Sequence, residues 1–218
     1  MEFSVSDYLI HRLDRLKECI ERLEASLSAD EDRYKQTIKL LEDKDGWSEE
    51  DQIKADFFYD DISLYDEARQ FYRQSSFLML YAFLEDSMQK ICELITARFK
   101  YDVLLDDIEG RGISKAEKWL KKVAHVNISD ILWAKLHEYR SIRNQLAHEF
   151  GEIDKEKRKN IHKVVEKNDL LETDDWGFTE FIRMKDGFIN EFIVVMKEFF
   201  KEIDQETSQK LKIKVVKS

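Results

Sequence analysis

The chain has 218 residues, 43% of them hydrophobic, 12% aromatic and 38% charged, with a formal net charge of −10. That apolar content excludes wholesale disorder, and the acidic balance excludes an indiscriminate binder of nucleic acid or anionic membrane, which needs a positive field over much of its surface. The absence of proline and a total of six glycines remove the usual punctuation of β-sandwiches and barrels, so the expected fold class is all-α, a helical bundle with long N-terminal and C-terminal helices.

In chain order, Leu9, Leu13, Leu16, Ile20, Leu23 and Leu27 alternate spacings of four and three, the period of a helix that buries a narrow seam. The pattern resumes at Tyr34, Ile38 and Leu41 before Gly46, so this helix is either very long or broken near Asp30-Glu31-Asp32. Ser48-Glu49-Glu50-Asp51 reads as a capped start and leads through an aromatic, acidic stretch into the most apolar helix, from about Glu67 to Lys100. There Phe77, Leu80, Tyr81, Leu84, Met88, Ile91 and Ile95 share one face, Glu85 borders it and Asp86 opposes it.

After the loop 106–112, Ser114-Lys115-Ala116-Glu117 has the form of a capping box opening a short helix with Trp119, Leu120 and Val123 inside. Ser129 recaps a helix carrying Leu132, Leu136, Tyr139, Leu146 and Phe150 on its apolar side and closed by Gly151. A charged helix from Lys155 to Glu166, a long helix from Asp175 to Gln205 and a lysine-studded tail complete the reading. The expected organisation is an N-terminal helix, 1–46, packed on a bundle, 47–205, with a basic tail, 206–218. Cys19 and Cys92 are expected to be reduced core residues. No apolar run reaches the roughly 20 residues of a membrane span, and Met1-Glu2-Phe3-Ser4 lacks signal-peptide character, so no membrane partner and a cytoplasmic location are expected.

The chemistry concentrates in Arg140-Ser141-Ile142-Arg143-Asn144-Gln145-Leu146-Ala147-His148. On a helical wheel Arg143 falls within the apolar face, where a permanently charged guanidinium requires a carboxylate, carbonyls or an outside anion. Asn144 and His148, at i and i+4, line the adjoining flank beside Arg140. The cluster fits two uses: a core salt bridge with a helix-end histidine, or phosphodiester chemistry. In the second, arginine stabilises the charged transition state, an amide orients and histidine moves a proton. RNA supplies its own nucleophile, the 2′-hydroxyl, and neither metal nor cofactor is required.

Arg143-Asn144-Gln145-Leu146-Ala147-His148 resembles the Arg-Asn-x-x-x-His signature of the HEPN superfamily, and the apolar helix bearing Glu85 is similar to the helix that precedes the motif in that family. The resemblance covers Phe71 to Phe200 loosely and the six motif residues tightly. It implies a helical bundle of HEPN type and a metal-independent endoribonuclease of the toxin–antitoxin or phage-defence kind. It further implies a homodimer whose two motifs face one another, and a possible protein antitoxin. Arg143 would contact the scissile phosphate, Asn144 would orient and His148 would be the general acid or base. Some members of the family are inactive modules that bind RNA or a protein. Members controlled by nucleotidylation carry a tyrosine two residues after the histidine, where this chain has Phe150, so that control is not expected.

Two facing cationic motifs require a neutralising acid in the empty protein, and Glu85 is expected within reach of Arg143. From Arg111 to Arg143, eight cationic residues face three carboxylates, a net +5 in an acidic chain. Lys115, Lys118, Lys121 and Lys122 in this segment form either a weak RNA path or a solvated helix face. The five histidines show no metal-ligand spacing.

Overall fold

A computed structural model describes residues 5–43, 46–154 and 159–216. The fold is predominantly helical, as the composition requires: α1 (Val5–Glu42), α2 (Glu49–Phe99), α3 (Gly112–Lys122), α4 (Asp130–Glu149), β1 (Glu152–Asp154), α5 (Lys159–Lys167), β2 (Leu171–Asp175), β3 (Thr179–Met184) and α6 (Phe188–Val216), with a 3₁₀ turn at Leu105–Asp107. The chain divides into two compact units, one of Met1–Arg15 with Phe77–Ser218 and one of Leu16–Ser76, so that α1 and α2 each contribute to both. These limits differ from the expected ones at 46 and 205, because each long helix passes from one unit to the other without interruption. Residues 206–216 continue α6 rather than forming a separate tail, and Lys217 and Ser218 lie outside the described residues.

The unit Leu16–Ser76 is an antiparallel pair of helical segments. α1 runs unbroken through Asp30-Glu31-Asp32, and α2 begins where Ser48 Oγ accepts the Asp51 N–H at 3.1 Å while the Asp51 carboxylate accepts the Ser48 N–H at 3.3 Å, a reciprocal cap. The seam predicted through Leu23 does not hold there. Leu23 is 55% exposed, and the inner position passes to Glu24, which pairs with buried Arg73. Glu31, also buried, pairs with Arg69 and with Lys35. Cys19, expected in the core, is exposed for the same reason of seam position, while Cys92 is buried and its thiol is pushed up to about 12 by loss of solvent.

In the other unit the predicted faces are in place. Phe77, Leu80, Tyr81, Leu84, Met88, Ile91 and Ile95 of α2 are buried, as are Trp119 and Leu120 of α3 and Leu132, Leu136, Tyr139 and Leu146 of α4. Ser129 caps α4, accepting the Leu132 N–H at 3.2 Å. Two local expectations are corrected. α3 starts at Gly112, with Arg111 as an N-cap that makes no side-chain bond, and Ser114, one turn inside, receives a hydrogen bond from Arg140 instead of capping. Phe150 is 88% exposed rather than buried, because the chain leaves the helix there in a left-handed turn at φ 53, followed by Gly151 at φ 82.

The larger correction concerns the segment 171–187. The helix expected from Asp175 begins only at Phe188, and Leu171–Met184 instead forms an antiparallel hairpin whose central strand β3 also pairs with β1, in the order β1-β3-β2. The turn closes with the Trp176 N–H on the Thr179 carbonyl at 2.9 Å, and Gly177 at φ 88 fills the first central position, where a two-residue hairpin demands a positive φ. Ile182 and Met184 turn inward with Ile153 and Leu171, the period-two signal of a half-buried strand. The charged helix predicted from Lys155 starts at Lys159, and residues 155–158 lie outside the described residues.

Removing one member of a buried charge pair strands the other. Glu31→Ala is therefore expected to lower stability by about 3 kcal/mol, read as a drop in the urea midpoint, whereas replacing an exposed i,i+4 partner such as Glu50, paired with Lys54 at 2.6 Å, by alanine should leave that midpoint essentially unchanged.

Candidate functional site

The motif occupies the last two turns of α4, and three elements converge on it. Arg143 projects from the apolar side of α4 towards α2, and its guanidinium carbon lies 5.5 Å from the centre of the Tyr81 ring, over which it stacks. Nη2 donates to Glu85 Oε2 at 3.5 Å, the weak end of the hydrogen-bond range, and Nη1 donates to Asn144 Oδ1 at 3.0 Å. The side chains of Arg143 and Glu85 are 33% and 28% exposed, so the pair is half covered and still reachable from solvent.

The third element is the N-terminal turn of α3. Arg140, one turn before Arg143, donates to Ser114 Oγ at 2.5 Å. Gly112, at φ 54, lies so close to the Glu85 carboxylate that a Cβ on it would overlap Oε1. Glu85 thus stands between Arg143 of α4 and the backbone of α3, and glycine at 112 avoids both the strain of the left-handed conformation and displacement of the carboxylate.

Tyr81 closes the floor. Its ring is fully buried and its hydroxyl has no hydrogen-bond partner among the described residues. Burial, reinforced by the Glu85 charge and opposed by Arg140 and Arg143, raises its pKa far above the ordinary phenol range. Tyr139 is likewise raised by burial and by its contact with Glu191.

His148 is exposed on the flank of α4 one turn beyond Asn144, and no hydrogen bond joins its imidazole to a described residue. Sequence reasoning missed Gln145, one of the three variable positions between Asn144 and His148. It is buried, donates to Glu149 at 3.1 Å and to the Glu152 carbonyl of β1, and so ties the end of the motif helix to the sheet. Its spacing carried no signal, because the burial that obliges the amide to find partners comes from the packing of α4 beside β1.

The lysines of α3 are mostly engaged locally. Lys115 reaches Asp106 at 2.8 Å, Lys118 the Glu109 carbonyl at 3.2 Å, and Lys121 both Glu117 at 2.9 Å and Asp130 at 3.2 Å, while Lys122 is exposed. A cleft of about 460 Å³ lies on another side of α4, lined by Lys135, Tyr139, Lys167, Leu170 and Glu191 among others, and it does not include the motif. Among the described residues no helix is long and apolar enough to cross a membrane, and no group of three histidine, cysteine or carboxylate side chains is placed to hold a metal ion.

With known proteins as the comparison, no family model, no curated protein and no solved structure matches this chain.

Gly112→Ala is expected to cost about 1–2 kcal/mol from its positive φ and to push the Glu85 carboxylate out of line with Arg143, measurable as a chemical-shift change at the Arg143 Nε–H together with the loss in urea stability. In alkaline titration followed by phenolate absorbance, Tyr81 and Tyr139 should stay protonated while exposed tyrosines ionise. The unfolded chain then releases protons near pH 10 that the folded one keeps, so stability should fall as pH rises through that value.

Proposed function

We propose that this protein is a HEPN-type, metal-independent endoribonuclease of the toxin–antitoxin or phage-defence kind, acting as a homodimer in the cytoplasm. The observation that carries the reading is the order along one helix end: a half-covered guanidinium, an amide bonded to it, and a solvent-open imidazole one turn further on.

In this reading the scissile phosphate meets Arg143, whose contact with Glu85 at 3.5 Å is long enough to yield to a better-placed oxyanion. A base takes the proton of the 2′-hydroxyl, the oxygen attacks phosphorus, and the 5′-oxygen departs with a proton from an acid. The products are a 2′,3′-cyclic phosphate and a free 5′-hydroxyl. One imidazole serves one end of the displacement at a time, so His148 from each of two protomers supplies the acid and the base, and the two copies of Arg143 share the phosphate charge. Glu85 is the resting counter-ion that lets two cationic helix ends approach before RNA arrives.

A second reading, an inactive HEPN-like module that binds RNA or a protein, is favoured by one observation: Arg143 is already engaged with Glu85, Asn144 and the Tyr81 ring, a set of contacts that a purely structural arginine would also make.

Incubation of the purified chain with tRNA and total RNA in the presence of a chelator separates the two. Cleavage leaving 2′,3′-cyclic ends, no cleavage of DNA, and a loss of roughly 10²- to 10⁴-fold on His148→Ala, with a similar loss on Arg143→Ala and an unchanged circular dichroism spectrum, are expected. Cleavage at the parent rate by both variants would refute the reading, and melting of Arg143→Ala with a neutral His148→Ala would favour the structural role.

A further inference from the structure

The unit Leu16–Ser76 buries charge and leaves a run of apolar side chains on its surface. Its interior takes the ion pairs Arg69–Glu31 and Arg73–Glu24 together with buried Gln70, while Ile53, Phe57, Leu64 and Phe71 of α2 stand 53%, 67%, 65% and 74% exposed. At 3.6 residues per turn these four fall within about 40° of one another, and Phe57, Leu64 and Phe71 repeat at heptad spacing. Singly exposed apolar residues are ordinary on a protein surface, but a straight seam of four, two of them phenylalanines, is a contact face. At 1.5 Å per residue it runs about 27 Å, the length of a helix of roughly 18 residues.

The rim of the seam says what covers it. From Glu49 to Ala68 the helix carries eight carboxylates (Glu49, Glu50, Asp51, Asp56, Asp60, Asp61, Asp66, Glu67) and one lysine, Lys54. Asp56, Asp60 and Glu67 are exposed along one edge of the stripe. A second copy of the same seam would set these edges against one another, with like charges opposed over the whole contact. RNA and an anionic bilayer are repelled for the same reason. We infer that the Ile53-Phe57-Leu64-Phe71 face of α2 is a docking surface for a basic amphipathic helix of a separate protein, whose apolar anchors at i, i+3/i+4 and i+7 pack along the seam as in a coiled coil and whose flanking lysines or arginines meet the carboxylate rim. The surface involves neither Arg143 nor His148, so it stands whether or not the chain cleaves RNA.

The test uses the full chain and a fluorescein-labelled synthetic helical peptide of about 20 residues, with leucine at heptad positions a and d and lysine or arginine at e and g. A second peptide with the same leucines carries glutamate at e and g. By fluorescence anisotropy the basic peptide should bind at micromolar concentration, weaken at least tenfold against the Leu64→Glu and Phe71→Ser variants, and weaken as salt rises from about 50 to about 200 mM. The acidic peptide should not bind. The substituted side chains are exposed, so both variants should keep the parent's circular dichroism and melting temperature. Failure of the basic peptide to bind, equal binding of the two peptides, or binding indifferent to both substitutions would overturn the inference. So would sedimentation showing that the parent dimerises and Leu64→Glu does not, since the seam would then be a self-interface.

Discussion

Five aromatic rings from three helices hold the larger unit together. Phe77 and Tyr81 of α2, Tyr139 of α4, and Phe188 and Phe192 of α6 form a continuous cluster with centroid separations from 4.6 Å, for Tyr139 and Phe192, to 6.3 Å, for Tyr81 and Phe192. Each such side chain contributes about 1.5–3 kcal/mol by leaving water, and the tilted and edge-on pairings add to that. The cluster also sets geometry. Because Tyr139 is locked between α2 and α6, the next turn of α4 is carried over Tyr81, and Arg143 has an aromatic face and a carboxylate waiting for it.

The arrangement around Arg143 is a compromise between anchorage and availability. A guanidinium on an apolar face has to be neutralised, and Glu85 does so from the border of the α2 face. Yet the contact is long and both partners are partly open to water, so the charge is shared among a carboxylate, an amide oxygen and a ring face instead of being consumed by one tight bidentate pair. Gly112 makes the compromise possible by leaving room for the carboxylate, and the unpartnered Tyr81 hydroxyl marks the spot where satisfaction of every polar group gave way to packing.

The two units differ in how much charge they bury. One packs rings and aliphatic chains; the other closes two helical segments over Arg–Glu pairs, which add little net stability compared with an apolar core but penalise any register that separates the charges. That unit also buries Ile20, Ile38, Leu41 and Ala55 and packs Tyr34 on Phe58 and Tyr65, while Ile53, Phe57, Leu64 and Phe71 of α2 stay exposed beside its carboxylates.

The sequence by itself determined the helical class, the buried faces of α2, α3 and α4, the cap at Ser129 and the placing of Arg143 at an apolar border, because each of these depends on periodicity within one helix or on neighbours three and four residues away. It also carried the hairpin, in Trp176-Gly177-Phe178 and in the alternation of Ile182 and Met184, but the apolar run from Phe188 onward extends a helical period across that stretch if the glycine is read as tolerated. Only the tertiary structure decided that Leu23 faces out and Glu24 in, since the choice between adjacent seams rests on where Arg73 stands. It alone decided that Ser114 answers Arg140, that Gly112 abuts Glu85, and that Gln145 bonds to β1. Those contacts join residues far apart along the chain, and the distance between them is set by packing of whole elements, which no local pattern records.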